Sequence, residues 1–546
     1  MIRAHPHALA ALVADLARRG VHVDRTIALI DAVAAPLQSP TIAALAGDPL
    51  VAEITADGPV MLQASSYEPG ADPNSLFNAA GIVGAHAAWD LGYTGRGIDV
   101  ALIDSGVSPV VGLADQTQVV NGPDLSFESQ TPNTRYLDTF GHGTFMAGLI
   151  AGRDPGVDAA SGNTTAYQGI APDARIVSVK VADAQGRSDV SQVIAGIDWV
   201  VQHAQDNGLN IRVLNLSFGT NSLQPYQLDP LAYAAEVAWH DGIVVVVSAG
   251  NDGGRRLVDP AIDPFVIAVG ALDTHGAADA RVATVASFSN KGSRKRRVDV
   301  VAPGVHVEGL RVPGSFIDAA FGTSGRLGDR FFRGSGTSQA TAITSGVVAL
   351  VLSANPSLSP DQVKHLLLES ANPVARAGQE QGQGVPSAAD AMSAEPGPAA
   401  QQRYRPANGT GSLDAARGGR HLTIAGTTLS GEQDVFGQAV DTSALATAES
   451  AGTGWVGGNW NGQAWAGADW TGASWSGASW AGASWAGASW AGASWADATW
   501  AGASWAGASW DGASWSGSSW DGASWDGASW SGASWDSFGW TSMSWT

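Results

Sequence analysis

The sequence of 546 residues contains no cysteine. A chain without cysteine has no disulfide bond to stabilise it and no thiolate for nucleophilic or metal chemistry. Charged residues are also scarce, at 14% of the chain, and they are unbalanced, with 29 Lys and Arg against 50 Asp and Glu. The resulting formal net charge of −21 argues against a nucleic-acid-binding protein, because such proteins are usually basic.

Long hydrophobic runs are missing as well. No stretch reaches the roughly 18 apolar residues that a membrane span needs, so we expect no membrane span. The short Ala/Leu stretch within residues 1–20 is interrupted by Asp15 and makes a poor signal peptide. Hydrophobic residues nevertheless make up 45% of the chain, which is enough for a sizeable core in a protein of several domains.

Three separated segments each place a chemically useful side chain at the end of a predicted strand or helix. Residues 98–106 (IDVALIDSG) form a nearly continuous apolar strand that ends at Asp104. Residues 140–148 (FGHGTFMAG) place His142 at the start of a helix of small residues. Residues 333–342 (RGSGTSQATA) place Ser338 where an apolar helix begins. An acid, a base and a hydroxyl are the groups that nucleophilic catalysis by serine requires.

Each of these residues also has a purely structural interpretation. A serine at a helix start is more often a cap than a nucleophile, and Asp-Ser-Gly favours a turn. A second Gly-Thr-Ser occurs at Ser324, but it is followed by glycine and a polar stretch (RLGDR) instead of an apolar helix. Ser338 is therefore the preferred candidate nucleophile.

In this order, the segments resemble the D-[ST]-G, H-G-T and G-T-S-x-A motifs of the subtilisin-like serine proteases (subtilases). The resemblance implies an acyl-enzyme mechanism with Ser338 as nucleophile, His142 as general base and Asp104 as the acid that orients it. It also implies that Asn251, which ends a V-V-V-V-S-A-G-N segment, donates a hydrogen bond to the oxyanion, although Asn-Asp-Gly is a turn sequence too. The sequence departs from the family pattern at Gln339, where methionine is usual.

Two more segments resemble the family's substrate-binding edges, which hold an extended polypeptide by main-chain pairing. They lie on opposite sides of the expected cleft and comprise Ser217, Phe218 and Gly219 on one side and Gly186, Arg187 and Ser188 on the other. The chemistry implied by the resemblance requires no cofactor. Structural calcium is frequent in the family, but the scattered acids form no recognisable ligand loop, so no metal site is assigned.

Between residues 78 and 395, apolar strands alternate with helical patterns, as in an α/β fold. Continuously apolar strands indicate burial on both faces, hence a parallel sheet between two helix layers. The resemblance implies that this three-layer fold is of subtilisin type. Predicted strands cover 99–103, 176–181, 211–216, 243–248 and 265–269. Predicted helices lie near 142–150, 190–206 and 228–240.

Residues 1–66 are predicted to form a small α+β domain. A short helix at 41–46, a turn at Asp48-Pro49 and a strand at 51–55 resemble the end of a subtilase propeptide. This likeness implies a zymogen that processes itself. The alternative is an unrelated α+β domain.

Residues 396–450 read as a linker and a short connector, and residues 451–546 as a repeat. Tryptophan occurs at every fifth position from Trp455 to Trp545, in units of the form GASWx. This period fits neither a helix of 3.6 residues nor a strand of 2, and it resembles pentapeptide-repeat proteins, which form a β-solenoid with four units per coil. A disordered tail is the alternative. Outward-facing tryptophans would suit binding to a cell surface, a glycan or a protein.

The sequence thus predicts a secreted or cell-surface serine endopeptidase that is made as a zymogen. The competing hypothesis is a catalytically vestigial binding or scaffold protein whose repeats attach to cell wall or polymer.

Overall fold

The computed structural model describes residues 2–54 except 6–7 and 28–30, and residues 72–464 except 116, 130, 132–133, 161–165, 375–377, 398–399, 425–426 and 457. From residue 479 onward it describes a short strand in each five-residue unit. The chain divides into two compact units, Met1–Ala64 and Ser65–Thr546. The end of the predicted 1–66 domain and part of the predicted repeat lie outside the described residues.

The first unit is a small four-stranded sheet with two helices. Its elements are β1 (Ile2–Ala4), α1 (Leu9–Arg18), β2 (Arg25–Ile27), β3 (Ala32–Ala34), α2 (Ser39–Leu45) and β4 (Val51–Ile54). The strand order is β2-β3-β1-β4. Leu12 and Leu16 lie one turn apart on α1 and are fully buried with Ile2 of β1 and Val33 of β3. This spacing of four residues places both leucines on the helix face that packs on the sheet.

The second unit contains the large sheet and most of the helices. Its strands up to residue 334 are β5 (Asp99–Asp104), β6 (Val119–Asp124), β7 (Arg175–Lys180), β8 (Ile211–Leu216), β9 (Val244–Ser248), β10 (Ile267–Asp273), β11 (Thr284–Val285), β12 (Val300–Pro303), β13 (Val307–Leu310), β14 (Arg326–Leu327) and β15 (Phe331–Gly334). Its helices up to residue 393 are α3 (Leu76–Ile82), α4 (Ala85–Asp90), α5 (Gly143–Ala151), α6 (Val190–His203), α7 (Pro230–His240), α8 (Phe316–Gly325), α9 (Thr337–Ala354), α10 (Pro360–Glu369) and α11 (Ala388–Ser393).

The large sheet has the order β11-β10-β9-β8-β5-β7-β6, and β12 also pairs with β10. All of these pairs are parallel except that of β10 with β11. Every residue of β5 and β9 is buried, as the continuous apolar runs predict. The predicted α/β fold with a parallel sheet is confirmed. Because parallel strands end at the same edge, the segments after β5, β8 and β9 meet there.

Helix α9 is the central helix of this unit. It is long and apolar enough to cross a membrane by length and composition, but 89% of its 18 residues are buried inside the protein. Its burial extends from Thr337 and Ser338 to Leu352. It is therefore a core helix, and no other helix of the described residues has that length and hydropathy.

The region between β12 and α9 is more elaborate than the sequence predicts. Strands β13, β15 and β14 form an antiparallel sheet, and α8 precedes β14. Ser324, in the second Gly-Thr-Ser, lies on α8, where its hydroxyl donates to the carbonyl oxygen of Phe321.

The described residues of 400–464 pack against the preceding part of the second unit more extensively than the predicted linker and connector suggest. They contain α12 (Leu413–Arg417), β16 (Thr423–Ile424), β17 (Thr427–Thr428), α13 (Thr442–Ser450), β18 (Trp455–Val456), β19 (Asn459–Trp460) and β20 (Gln463–Ala464). The indole nitrogen of Trp455 donates to Ala195 O on α6 at 2.8 Å, and that of Trp460 donates to the Asp198 carboxylate at 2.7 Å. Both tryptophans are buried. The first two repeat tryptophans therefore belong to the core of this unit.

Two carboxyl groups are buried at this contact, Asp198 on α6 and Glu449 on α13. Neither oxygen of the Glu449 carboxylate has a hydrogen-bond partner among the described residues. Burial raises the pKa of Asp198 to about 7, against the opposing hydrogen bond from Trp460. Burial and the neighbouring Asp198 also raise the pKa of Glu449 well above its usual range.

This contact predicts that the Asp198→Asn variant is more stable than the parent protein above neutral pH. In the unfolded chain Asp198 ionises near pH 4, but in the folded protein it ionises only near pH 7. Folding stability is therefore lost as pH rises between these values. Asparagine keeps an acceptor for Trp460 and removes this loss. The free energy of unfolding should therefore rise at pH 8, on the order of a few kcal/mol, and the unfolding temperature should rise with it. It should change much less at pH 4.

Thermal unfolding at pH 8 and at pH 4 is the measurement. Asp206→Asn, an exposed acid just beyond α6, is the matched control. A gain of equal size at both pH values would contradict the interpretation.

The five-residue repeat forms short strands from Ser479–Ala481 to Ser544–Trp545. Each strand pairs in parallel with the strand four units later, for example Trp480 with Trp500 and Trp485 with Trp505. Four separate sheets result, each with tryptophans in register.

Candidate active site

Asp104 and His142 form a hydrogen-bonded pair at the carboxyl edge of the sheet. Asp104 is the last residue of β5, and His142 is the residue that precedes α5. The Nδ1 atom of His142 lies 2.8 Å from Asp104 Oδ1 and 3.0 Å from Oδ2. Burial lowers the pKa of His142, but the carboxylates of Asp104 and Asp138 raise it, and the net shift is upward. A carboxylate at Nδ1 leaves Nε2 as the basic nitrogen on the other side of the ring.

A second buried acid, Asp138, holds this pair in place. Its Oδ2 accepts from the Thr144 amide at 2.7 Å, and its Oδ1 accepts from the Gly141 amide at 2.6 Å and the Ser105 hydroxyl at 2.7 Å. Burial raises the pKa of Asp138, against these hydrogen bonds. Asp138 thus joins the loop before His142, the first turn of α5 and the residue after Asp104. Sequence reasoning missed it, although an acid four residues before His142 was a visible signal.

Ser338 is the second residue of α9, beside the same edge. Its hydroxyl donates to the carbonyl oxygen of Ser217 at 3.0 Å, and no hydrogen bond from it to His142 is present in the described part of the chain. Catalytic hydrogen bonds are often long before substrate binds. The next residue, Gln339, and His142 line one cavity of about 60 Å³, so the two helix starts face a common space.

Asn251 also lies at this edge, three residues beyond β9. Its Oδ1 accepts from the Thr337 amide at 2.8 Å and from the Thr337 hydroxyl at 3.0 Å. These two bonds fix which end of the amide faces α9, so the Nδ2 group is the end left to donate. Asn251 is exposed, while Thr337 is fully buried. An oriented amide next to the start of a helix is a suitable oxyanion donor, because the first amides of a helix have no internal acceptors.

The two predicted substrate edges flank one cavity of about 420 Å³, which is lined by Gly186–Ser188 on one side and Phe218–Thr220 on the other. Two glycines are required by their surroundings. Gly186 has φ of +70°, and a Cβ there would lie 2.7 Å from the Phe140 ring, two residues before His142. A Cβ on Gly219 would lie 2.3 Å from a Val258 methyl. These glycines let the chain pass close to the site without side-chain obstruction.

The described residues include no group of three or more His, Asp or Glu side chains arranged to hold a metal ion. Asp104 and Asp138 accept hydrogen bonds from protein donors, as described above.

Comparison with known proteins gives one consistent result. The family model described as the subtilase family (Peptidase_S8) matches residues 95–385. The chain is 38% identical to serine protease AprX of Bacillus subtilis over 50% of its own length and 61% of that protein's. It is 30% identical to the minor extracellular protease Epr of the same organism, over 54% of the chain and 38% of Epr, and 31% identical to subtilisin E, over 65% of the chain and 79% of subtilisin E.

Proposed function

Because the chain belongs to the subtilase family, we propose that it is a serine endopeptidase that hydrolyses polypeptides through an acyl-enzyme. The observation that carries the proposal is the Asp104–His142 pair, held at 2.8 Å at the edge where Ser338 begins a buried helix. Together these segments supply the nucleophile, base and orienting acid that acyl transfer requires.

In the proposed reaction Ser338 Oγ attacks the carbonyl carbon of the scissile bond while His142 Nε2 takes its proton. The oxyanion receives hydrogen bonds from Asn251 Nδ2 and the Ser338 amide. His142 then gives the proton to the leaving amine, and water hydrolyses the ester by the reverse sequence. Before the attack, the Ser338 hydroxyl must turn from Ser217 O, its present acceptor, towards His142.

The proposal includes secretion or display at the cell surface, and maturation by removal of the first unit. Support for secretion comes from Epr, whose name describes an extracellular protease. Support for maturation comes from the separation of residues 1–64 as a compact unit of its own. The attachment of the repeats to a cell surface, glycan or protein stays a prediction, as does their closure into a solenoid.

A fluorophosphonate probe tests the proposed function, because it reacts covalently only with an activated serine. The full chain should be labelled once, at Ser338, as located by mass spectrometry of the digested protein. His142→Ala should remove labelling and keep the folded far-UV spectrum. A folded protein that the probe does not modify would favour the vestigial scaffold instead, and labelling at Ser324 would contradict the assignment.

A further inference from the structure

The cavity between the two substrate edges has a third wall. It is formed by Arg417, Arg420, His421, Leu422 and Thr423. These residues lie beyond the segment 95–385 that matches the family model. Val190, Val193 and Leu231, from α6 and α7, complete the apolar part of the lining. The wall is thus a contribution of the segment that follows the catalytic part of the chain.

A buried ion pair attaches this wall to the first edge. Arg417 Nε donates to Asp189 Oδ1 at 2.7 Å, and both side chains are almost completely buried. Asp189 directly follows Ser188 and caps the first turn of α6 with a reciprocal hydrogen bond involving Gln192. The same guanidinium donates to the carbonyl oxygens of Gly431 and Gln433. The guanidinium of Arg417 thus has its carboxylate and carbonyl partners within the protein.

Further hydrogen bonds attach the wall to the second edge. The Thr220 hydroxyl donates to Ala416 O. Gln224 and Ser412 exchange two bonds of 2.8 Å between the Gln224 amide and the Ser412 main chain. A Cβ on Gly418 would lie 2.7 Å from the Asn221 carbonyl carbon, so the backbones of these two segments are in close contact. Directly and through residues 412–416 before it, the wall is fixed beside both edges and bounds the cavity between them.

The cationic side chains around the cavity differ in whether they have a partner within the protein. Arg187 pairs with Asp183 at 2.6 Å, and Arg417 pairs with Asp189. The His421 ring nitrogen lies 2.9 Å from Leu429 O. Arg420 lines the cavity, is exposed, and has no carboxylate within 4.0 Å among the described residues. It is the cation of the lining that is left to meet a charge from outside.

We propose that residues 417–423 form a specificity wall for the substrate, and that Arg420 selects there for an acidic side chain over a basic one. This inference rests on the proposed protease function. Because the two edges resemble those that pair with an extended substrate in the family, the cavity between them receives a side chain of that substrate, which the proposal places before the scissile bond. Its apolar walls accommodate the stem of a glutamate, whose carboxylate reaches Arg420 at the rim. A lysine in the same place meets an unneutralised guanidinium.

The test uses peptides that are identical except that Glu or Lys occupies, in turn, each of the four positions before the cleaved bond. At one position the parent protein should cleave the Glu peptide with a kcat/KM about tenfold above that of the Lys peptide, as expected for one charge interaction near the surface. Arg420→Gln should remove this preference, and Arg420→Glu should reverse it. Because Arg420 is exposed, both variants should fold.

Arg294→Glu is the matched control, since Arg294 is exposed, changes the net charge equally and does not line the cavity. It should keep the parent's Glu-to-Lys ratio. A ratio that is near one in the parent, or that is unchanged in Arg420→Glu, overturns the proposed wall while neutral peptides are still cleaved. Failure of every peptide to be cleaved, with Ser338 unlabelled by the probe, would instead overturn the protease function.

Discussion

Replacing Ser338 by alanine is expected to lower kcat on a peptide substrate about 10⁶-fold, the scale known for the nucleophile of subtilisin, which belongs to the same family. The reason is that the covalent step requires this hydroxyl, while a methyl group in its place leaves only binding and the oxyanion donors. The helix itself should persist, because Ser338 is not its cap and alanine favours helices. Peptide hydrolysis and the length of the chain on a gel are the measurements.

Ser324→Ala is the matched control, since this serine has the same Gly-Thr before it and lies exposed on α8. It should keep the parent's activity and processing. Ser338→Ala should stay at its full length if the chain removes its own first unit. An active and normally shortened Ser338→Ala protein would refute the assignment of the nucleophile.

Replacing Asp104 by asparagine is expected to lower kcat/KM about 10⁴-fold, close to the effect of losing this acid in subtilisin. An amide nitrogen facing His142 Nδ1 stabilises the tautomer whose proton is on Nε2, so the base can no longer accept from Ser338. The site geometry should otherwise persist, because Ser105, Asp138 and Gly143 retain their own hydrogen bonds.

The same variant should move the pH dependence. His142 must be neutral to act as a base, so activity rises as pH passes upward through its pKa. The Asp104 carboxylate contributes to raising that pKa, and its loss should shift the midpoint of the remaining activity to lower pH. Profiles of kcat/KM for both proteins measure this shift. An unchanged midpoint with a small loss of rate would show that Asp104 does not face the catalytic imidazole.

The parallel sheet and the convergence of its carboxyl ends were predictable from the sequence. Strands such as β5 and β9 are continuously apolar, and each candidate side chain follows such a strand or begins a helix of small residues. Observed bounds differ by one to four residues from those predicted at most ends, as for β7 and α5, while the predicted strand at 265–269 became the longer β10. The roles of the individual residues, the domain boundaries and the propeptide stay predictions.

The parts that the sequence did not reveal depend on contacts between distant segments. Asp138 lies only four residues before His142, but its importance arises from three donors, Ser105, Gly141 and Thr144, that meet at one carboxylate. Arg417 pairs with Asp189 across 228 positions, which no local periodicity predicts. Trp455 and Trp460 obey the five-residue period perfectly, yet they pack on α6. Their sequence neighbours gave no sign that the repeat pattern begins inside the core.

The burial of those two indoles determines where the protein tolerates trimming. Loss of Trp460 and Trp455 would remove two large apolar side chains from beside α6, whose N-cap is Asp189, the residue next to Gly186–Ser188. A shortened chain should therefore keep both tryptophans if α6 is to stay covered.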